Sequence, residues 1–493
     1  MMQPPDAPLP PPVPAAPPSS VAPPQPRFSF GARWAEASVQ GLLAAAIVGV
    51  AAEIVAFVFY AVSSSPRPSI LLTSRIGVVL FYLFHHVGMV FDASNLTITE
   101  QPIGSILPPG SGLRLTAAVA LLGGTVAVGL LLYRAGRIVG KKVDGPAWMR
   151  GLHGMKVAAT YTAVSALATL VVHFTVHLPR SPVASGSFSI RPSIAAAVLW
   201  PLVFGMVFGF TGGFRSGDDG REHEPELMRR ARGVVAGGWR MLLAGMLLSY
   251  GGLLALSVVK PAARPIAYNI PTSGGNEAVA GSVITVLTIP NRAALALYPS
   301  MGSCVGVFAG AAGADVSFCA VSYSHFPTAS ALARISAAGA SGNGIPSLPA
   351  APAGYLLFLL VPAASTVAGG LTAARRSGAP DRRVGAAVGA LAGVVFALLT
   401  LAVGILATLS VKIVGHVQGL SSGAQVRLGP DLLIGTLMAL AWGLAGGAVG
   451  GGHQARGACF TRPAGDVEHY GFAVSSPPIP PPPPGPEAPA EPA

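Results

Sequence analysis

Four groups of side chains have the types and spacing to do chemistry, and all of them sit in or beside apolar runs. Glu53 stands near the middle of the run 38–62. A carboxylate at that depth is costly unless it is protonated or paired inside a bundle, which makes Glu53 a candidate for a proton or substrate path. His173 and His177 are four residues apart, one turn and one face on a helix. They could pair with Glu53 or bind a metal, or simply reach the outer interface; two imidazoles with no acidic ligand nearby do not make a metal site. Pro290, Asn291 and Arg292 interrupt a third run. Proline has no N–H to give to a helix, so the segment reads as a helix, a break and a second helix running on to Gly310. Such a re-entrant hairpin either turns helix ends toward substrates or ions or acts as a packing lid. Cys304 and Cys319 follow it in one loop; oxidising conditions outside the cell permit a disulfide, two free thiols being the alternative, while Cys459 stays reduced within.

None of these groups forms a catalytic set. There is no His-Glu-x-x-His and no paired acidic cluster, and Gly136 to Lys142 lacks the spacing and the hydroxyl of a phosphate-cradling loop. No enzyme, cofactor or metal centre is expected.

The elements that must position these residues are membrane helices. Hydrophobic residues make up 52% of the chain and charged ones 10%, with a mean hydropathy of +0.60, whereas a soluble domain carries roughly 25% charged residues. The net charge of +12 comes from lysines and arginines at the ends of apolar runs, which read as topology signals and not as a nucleic-acid surface. A span needs about 20 apolar residues. Eight runs qualify: 38–62, 112–134, 152–176, 192–213, 235–259, 353–374, 385–411 and 431–452. Two further apolar stretches, 70–91 and 278–312, are ambiguous. Counting only the eight puts three basic loops (Arg134 to Arg150, Arg215 to Arg240, Arg375 to Arg383) and both termini in the cytoplasm, as basic loops prefer. The two stretches are therefore expected to be re-entrant or surface-lying segments of long outer loops.

Thr125-Val126-Ala127 with Gly129 and Arg134 recurs as Thr366-Val367-Ala368 with Gly370 and Arg375. Leu72-Thr73, Arg75 and Phe91 answer Leu287-Thr288, Arg292 and Phe308, and the glycines after Trp200 resemble those after Trp442, though not in strict register. The expected fold is an all-α membrane protein: eight transmembrane helices as a 4+4 parallel tandem repeat. Its parts are a disordered Pro-rich tail (1–28), a four-helix repeat (29–214), a basic linker (215–234), a second repeat (235–452) and a second disordered Pro-rich tail (453–493).

Pro290-Asn291 after an apolar run, then Gly302, Val305-Gly306-Val307-Phe308 and Gly310, resembles a segment in hydrophobic multi-span proteins of actinobacteria, among them the streptophobe group and the PerM-like proteins linked to division. The resemblance covers mainly residues 280–375 and the span pattern. It implies an envelope protein of the cell membrane that supports division or wall assembly, with no catalytic residues to carry over. Two functions follow as expectations: a scaffold whose partners are the lipid bilayer and other envelope or division membrane proteins, or a transporter or lipid-handling protein with a polar path near Glu53 and Pro290-Asn291.

Overall fold

The computed structural model describes residues 29, 31–62, 69–98, 112–178, 184–217, 226–259, 275–311, 314–321, 353–417 and 420–461. Most of both expected tails, including Pro480 to Pro484, lies outside these residues.

The first half of the chain runs α1 (Trp34–Val62), α2 (Ile70–Leu83), β1 (Met89–Ile98), β2 (Gly112–Ala118), α3 (Leu122–Lys141), α4 (Ala147–Met155), α5 (Val157–Ala168), β3 (Phe174–Leu178), β4 (Ala184–Pro192) and α6 (Ile194–Phe214). The second runs α7 (Glu226–Val259), α8 (Asn276–Ser300), β5 (Val305–Ala311), β6 (Ala314–Val321), a short 3-10 turn and α9 (Leu360–Ser377), α10 (Arg382–Ala407), β7 (Leu409–Val417), β8 (Leu420–Pro430) and α11 (Leu432–Thr461). One order serves both halves: two helices, a hairpin, two helical positions, a hairpin and a last helix.

Among the described residues, eight helical stretches are long and apolar enough to cross a membrane: α1, α3, α6, α7, α8, α9 with its preceding turn, α10 and α11. The set differs from the expected one. The run 152–176 is interrupted at Lys156, where α4 ends and α5 begins, and it leaves helix at Ala168. The stretch 278–312 instead contains the long helix α8. Helix α7 starts at Glu226, within the expected linker, and α11 runs through Thr461, past the start of the expected tail.

The larger departure from an all-α fold is a sheet. Four hairpins combine into one eight-stranded antiparallel sheet in the order β3-β4-β1-β2-β7-β8-β5-β6. The halves meet at β2 and β7, paired from Gly112 with His416 to Ala118 with Ser410. Strands that alternate, such as Leu409-Ser410-Val411-Lys412-Ile413, carry the two-residue period of a pleated ribbon.

Sheet and basic loops occupy opposite ends of the helices. β2 leads into α3, α5 into β3, β4 into α6, α10 into β7 and β8 into α11. At the other end, the Lys142 ammonium sits 2.8 Å from the Glu36 carboxylate at the start of α1, and Arg229 Nε donates to the Ser377 carbonyl between α7 and α9. The tight turn there is specified locally: Gly378 ends α9 in the left-handed conformation (φ 64°), and Asp381 caps α10 by accepting from the Arg383 and Val384 N–H groups.

The bundle packs by small residues inside and large ones outside. On α1, Ala37, Gly41, Ala44, Ala45 and Ala52 are buried, whereas Val39, Leu42, Leu43 and Val50 are exposed. This suits a helix whose outer solvent is lipid, where backbone contact does the work that apolar burial does in water. Close approaches of this kind occur twice at matching positions: Gly205 on Ala158 and Gly209 on Gly154 in the first half, Gly443 on Gly393 and Gly447 on Gly389 in the second. The glycines of α6 and α11 therefore do fall in register, Gly205 with Gly443 and Gly209 with Gly447. A Cβ on Gly209 would lie 2.7 Å from the Gly154 carbonyl oxygen, and one on Gly447 would collide with that of Gly389. Gly209→Ala and Gly447→Ala are each expected to cost about 1–3 kcal/mol by overpacking. Unfolding in detergent measures this, and an unchanged midpoint for both would refute the close contact.

Candidate functional site

Three polar clusters lie among the apolar helices. The first is the joint between the halves. Asn291 on α8 is buried and reaches the N-terminus of α3: its Oδ1 accepts from the Leu122 N–H (2.9 Å) and its Nδ2 donates to the Ala120 carbonyl (2.7 Å). The first N–H groups of a helix have no partner in the helix, so a side chain from elsewhere serves as the cap. The neighbouring backbone is tied in the same way, Ala120 N–H to Leu406 and Leu121 N–H to Leu83. The end of α2, the start of α3, the middle of α8 and the end of α10 thus converge on Val119–Leu122, sealed by Ala120, Leu122, Ala294 and Ala407.

The expected break at Pro290 is absent. α8 runs continuously through Pro290 to Ser300. Proline removes one ladder bond, and α8 keeps its course because it is packed against α3, α7 and α10; membrane helices tolerate proline where neighbours hold the helix. The chain reverses later, at Met301–Gly302, where Gly302 takes φ 94°. Arg292 donates to Thr288 Oγ1 of its own helix (3.3 Å), with Tyr250 of α7 close by.

The second cluster is the matching reversal after α2, at His85–His86. His86 is left-handed at φ 58°, where the second half has Gly302. Both reversals use the same bonds: His86 N–H to Leu83 and Val87 N–H to Tyr82 in one, Gly302 N–H to Pro299 and Ser303 N–H to Tyr298 in the other. Tyr82 donates to the Ser165 carbonyl on α5, and Tyr298 to the Thr400 carbonyl on α10, each at 2.7 Å. Counted from these matching bonds, Arg75 stands at the position of Asn291 and not of Arg292; Arg75 lies over the Phe174 ring.

The His85 ring is completely buried, with Nδ1 2.6 Å from the Phe81 carbonyl and Nε2 2.6 Å from the Tyr161 hydroxyl. A carbonyl only accepts, so Nδ1 carries the proton, and Nε2 accepts from Tyr161 in a neutral ring with both nitrogens satisfied. His86 stands edge-on to Trp200, and its buried Nδ1 has no hydrogen-bond partner. These rings touch Trp200 and Phe204, six and ten residues into α6, about 10–15 Å from its start at about 1.5 Å per residue. The chain then climbs back, Ser193 N–H donating to Gly88 as Asp431 N–H does to Cys304.

The third cluster is Glu53. Its Oε1 accepts from Ser74 on α2 (3.2 Å), and its buried Oε2 has no partner. Gly77 leaves room for the carboxyl: a Cβ there would lie 2.5 Å from it. The face of α1 around it, Gly49, Val50, Ile54 and Phe57, is an apolar groove.

The histidine pair anticipated on a helix is not on one. α5 ends at Ala168, His173 is an exposed residue before β3, and His177 lies on β3. Four extended residues span about 13 Å, so the two do not share a ligand. No group of three potential metal ligands occurs among the described residues. Cys304 is disulfide-bonded. Its carbonyl accepts from Asp431 at the start of α11, whereas Cys459 is near that helix's far end; this leaves Cys319, on the neighbouring β6, as the partner the sequence offers.

Sequence reasoning missed His85, His86 and Tyr161. The signal was the adjacent histidines closing an apolar run inside 70–91, which drew no notice because neither stands at a span's centre.

Asn291→Ala would leave the Leu122 N–H and the Ala120 carbonyl without partners, an expected loss of about 1–3 kcal/mol in detergent unfolding. The chain should open at the joint between the halves before either half melts, which proteolysis read at that joint would check. Tyr161→Phe removes the donor to His85 Nε2 and should cost a similar amount, about 1–3 kcal/mol; equal stability for the variant would mean that this bond is not formed.

No protein-family model, curated protein or solved structure matches this chain.

Proposed function

We propose that the chain is a multi-pass scaffold or assembly factor of the bacterial cell envelope, with a cytoplasmic basic face and an outer sheet on which assembly occurs. The carrying observation is the fusion of four separate hairpins into one sheet at the helix ends opposite the basic loops. In this reading α1, α3, the broken α4–α5, α6, α7, α9, α10 and α11 cross the membrane, and the two halves are parallel copies of one unit. α2 and α8 dip into the bundle from the outer side, turn at His86 and Gly302, and return to the sheet. Both termini are then cytoplasmic.

A scaffold is supported further by how the interior is filled. Glycine-backed helices close on one another at backbone distance, and the histidine cluster is walled by Phe81, Tyr161 and Phe204. The groove beside Glu53 is apolar and lies on α1's own face. The second reading, transport or lipid handling, has one observation in its favour, the partnerless Glu53 Oε2.

Glu53→Gln separates the two. In cells depleted of the chain, a scaffold predicts that this variant restores growth as well as the unaltered protein does. A folded, membrane-inserted Glu53→Gln that fails to do so would overturn the scaffold reading in favour of transport.

A further inference from the structure

The joint between the two halves is built from surfaces that each half also carries on its free side. Within the first half the strands lie in the order β3-β4-β1-β2, and within the second in the order β7-β8-β5-β6. Each half therefore has the same sequence of strands, second hairpin and then first hairpin, read in the same direction. They join where the last strand of one, β2, meets the first strand of the other, β7. A two-fold axis would have brought like strands together; here unlike strands meet, head to tail.

A head-to-tail contact uses two different patches, so one of each is left over at the ends of the series. Among the described residues, β6 has only β5 as a neighbour and β3 has only β4. β6 is the counterpart of β2 and β3 the counterpart of β7. Leu115 pairs with Phe91 as Phe318 pairs with Val307, and Ile413 pairs with Ala424 as Leu178 pairs with Gly186. The open edges thus repeat the two strands that already bind each other inside the chain.

We propose that β6 of one copy pairs with β3 of a second copy, repeating the β2–β7 joint between molecules. An unpaired strand edge offers a row of N–H and carbonyl groups, and strand addition is a recurrent way to satisfy it. Register follows from the internal joint. Leu115 faces Ile413 there, so Phe318 of one copy faces Leu178 of the next. The occupant is set by the same geometry. The internal joint holds two units whose helices leave the sheet on one side, so a copy added in that way lies in the same bilayer with the same orientation. At the helix level Asn291 of α8 caps α3 across the internal joint, whereas its counterpart Arg75 on α2 reaches no helix start and lies over Phe174 of the edge strand β3.

This proposal rests on the scaffold reading, since it names the partner that the outer sheet would take. The test uses the full chain with Cys459→Ser, in native membranes. Leu178→Cys and Phe318→Cys are expressed together on differently tagged chains and oxidised. A disulfide between the two tags, roughly doubling the mass, is expected, and a chain carrying both substitutions should give a ladder. Cross-links between two Leu178→Cys chains, or a monomer by light scattering in mild detergent with no mixed cross-link, would overturn the proposal. Leu178→Lys guards against misfolding: with the unaltered helical circular dichroism it should lose the multimer, and a multimer that survives it counts against the edge pairing. The two readings fail separately. No mixed cross-link while Glu53→Gln still restores growth removes self-assembly and leaves the scaffold another partner. A mixed cross-link with a failing Glu53→Gln keeps the assembly and removes the scaffold.

Discussion

A carboxamide near the middle of one helix supplies the cap for the start of another. Asn291 gives the α3 N-terminus the acceptor it lacks and takes up the Ala120 carbonyl beside it. Where water is scarce, an unmatched backbone group is expensive, so this bidentate contact fixes where α8 lies against α3. From that follow the passage of Val119–Leu122 between α2 and α10, the direction in which β2 leaves, and its alignment with β7. The halves are joined inside the bundle, by this amide and by the Ala120 N–H to Leu406 bond beside it, and by a strand pair above it, and these joints must agree in register.

The two halves share a frame and differ in their fittings. Tyr82 and Tyr298 bond the same helix position, and the glycine pairs of α5–α6 and α10–α11 correspond one to one. At the reversals the first half has His85 and His86 where the second has Met301 and Gly302, and Trp200 where the second has Met438. A left-handed backbone costs a glycine nothing and a histidine roughly 1–2 kcal/mol, so the first half holds a strained, aromatic turn where the second holds a relaxed one. The break at Lys156 is likewise confined to one half: α4 and α5 are two short helices, while their counterpart α10 is unbroken.

Much of the frame was legible in the residues. Apolar run length marks most of the long helices, and the arginines sort the helix ends, because both signals are local and strong. The sheet was not read, since its strands are short, lie in loops between long apolar runs and alternate over only a few residues, as in Phe174-Thr175-Val176-His177-Leu178. That same strand defeated the helical reading of His173 and His177. Pro290 misled for a related reason: a local rule about the missing N–H was outweighed by packing against the neighbouring helices. Asn291 was singled out correctly, but its partners lie about 170 residues earlier and no spacing points to them. Glu53 was found because a lone carboxylate in an apolar run is conspicuous, whereas His85 and Tyr161 meet only through tertiary contact.

The pairing of β2 with β7 also sets a clock. Ala117 faces Val411, and at a synthesis rate of about 5–20 residues per second the ribosome needs roughly 15–60 s to make the chain between them. Until β7 emerges, β2 keeps an open strand edge, and for the first part of that wait, roughly 8–34 s at the same rate, α3 is also uncapped, because Asn291 is made about 170 residues after Leu122. A nascent chain that waits so long with its seam exposed depends on whatever shields it during insertion.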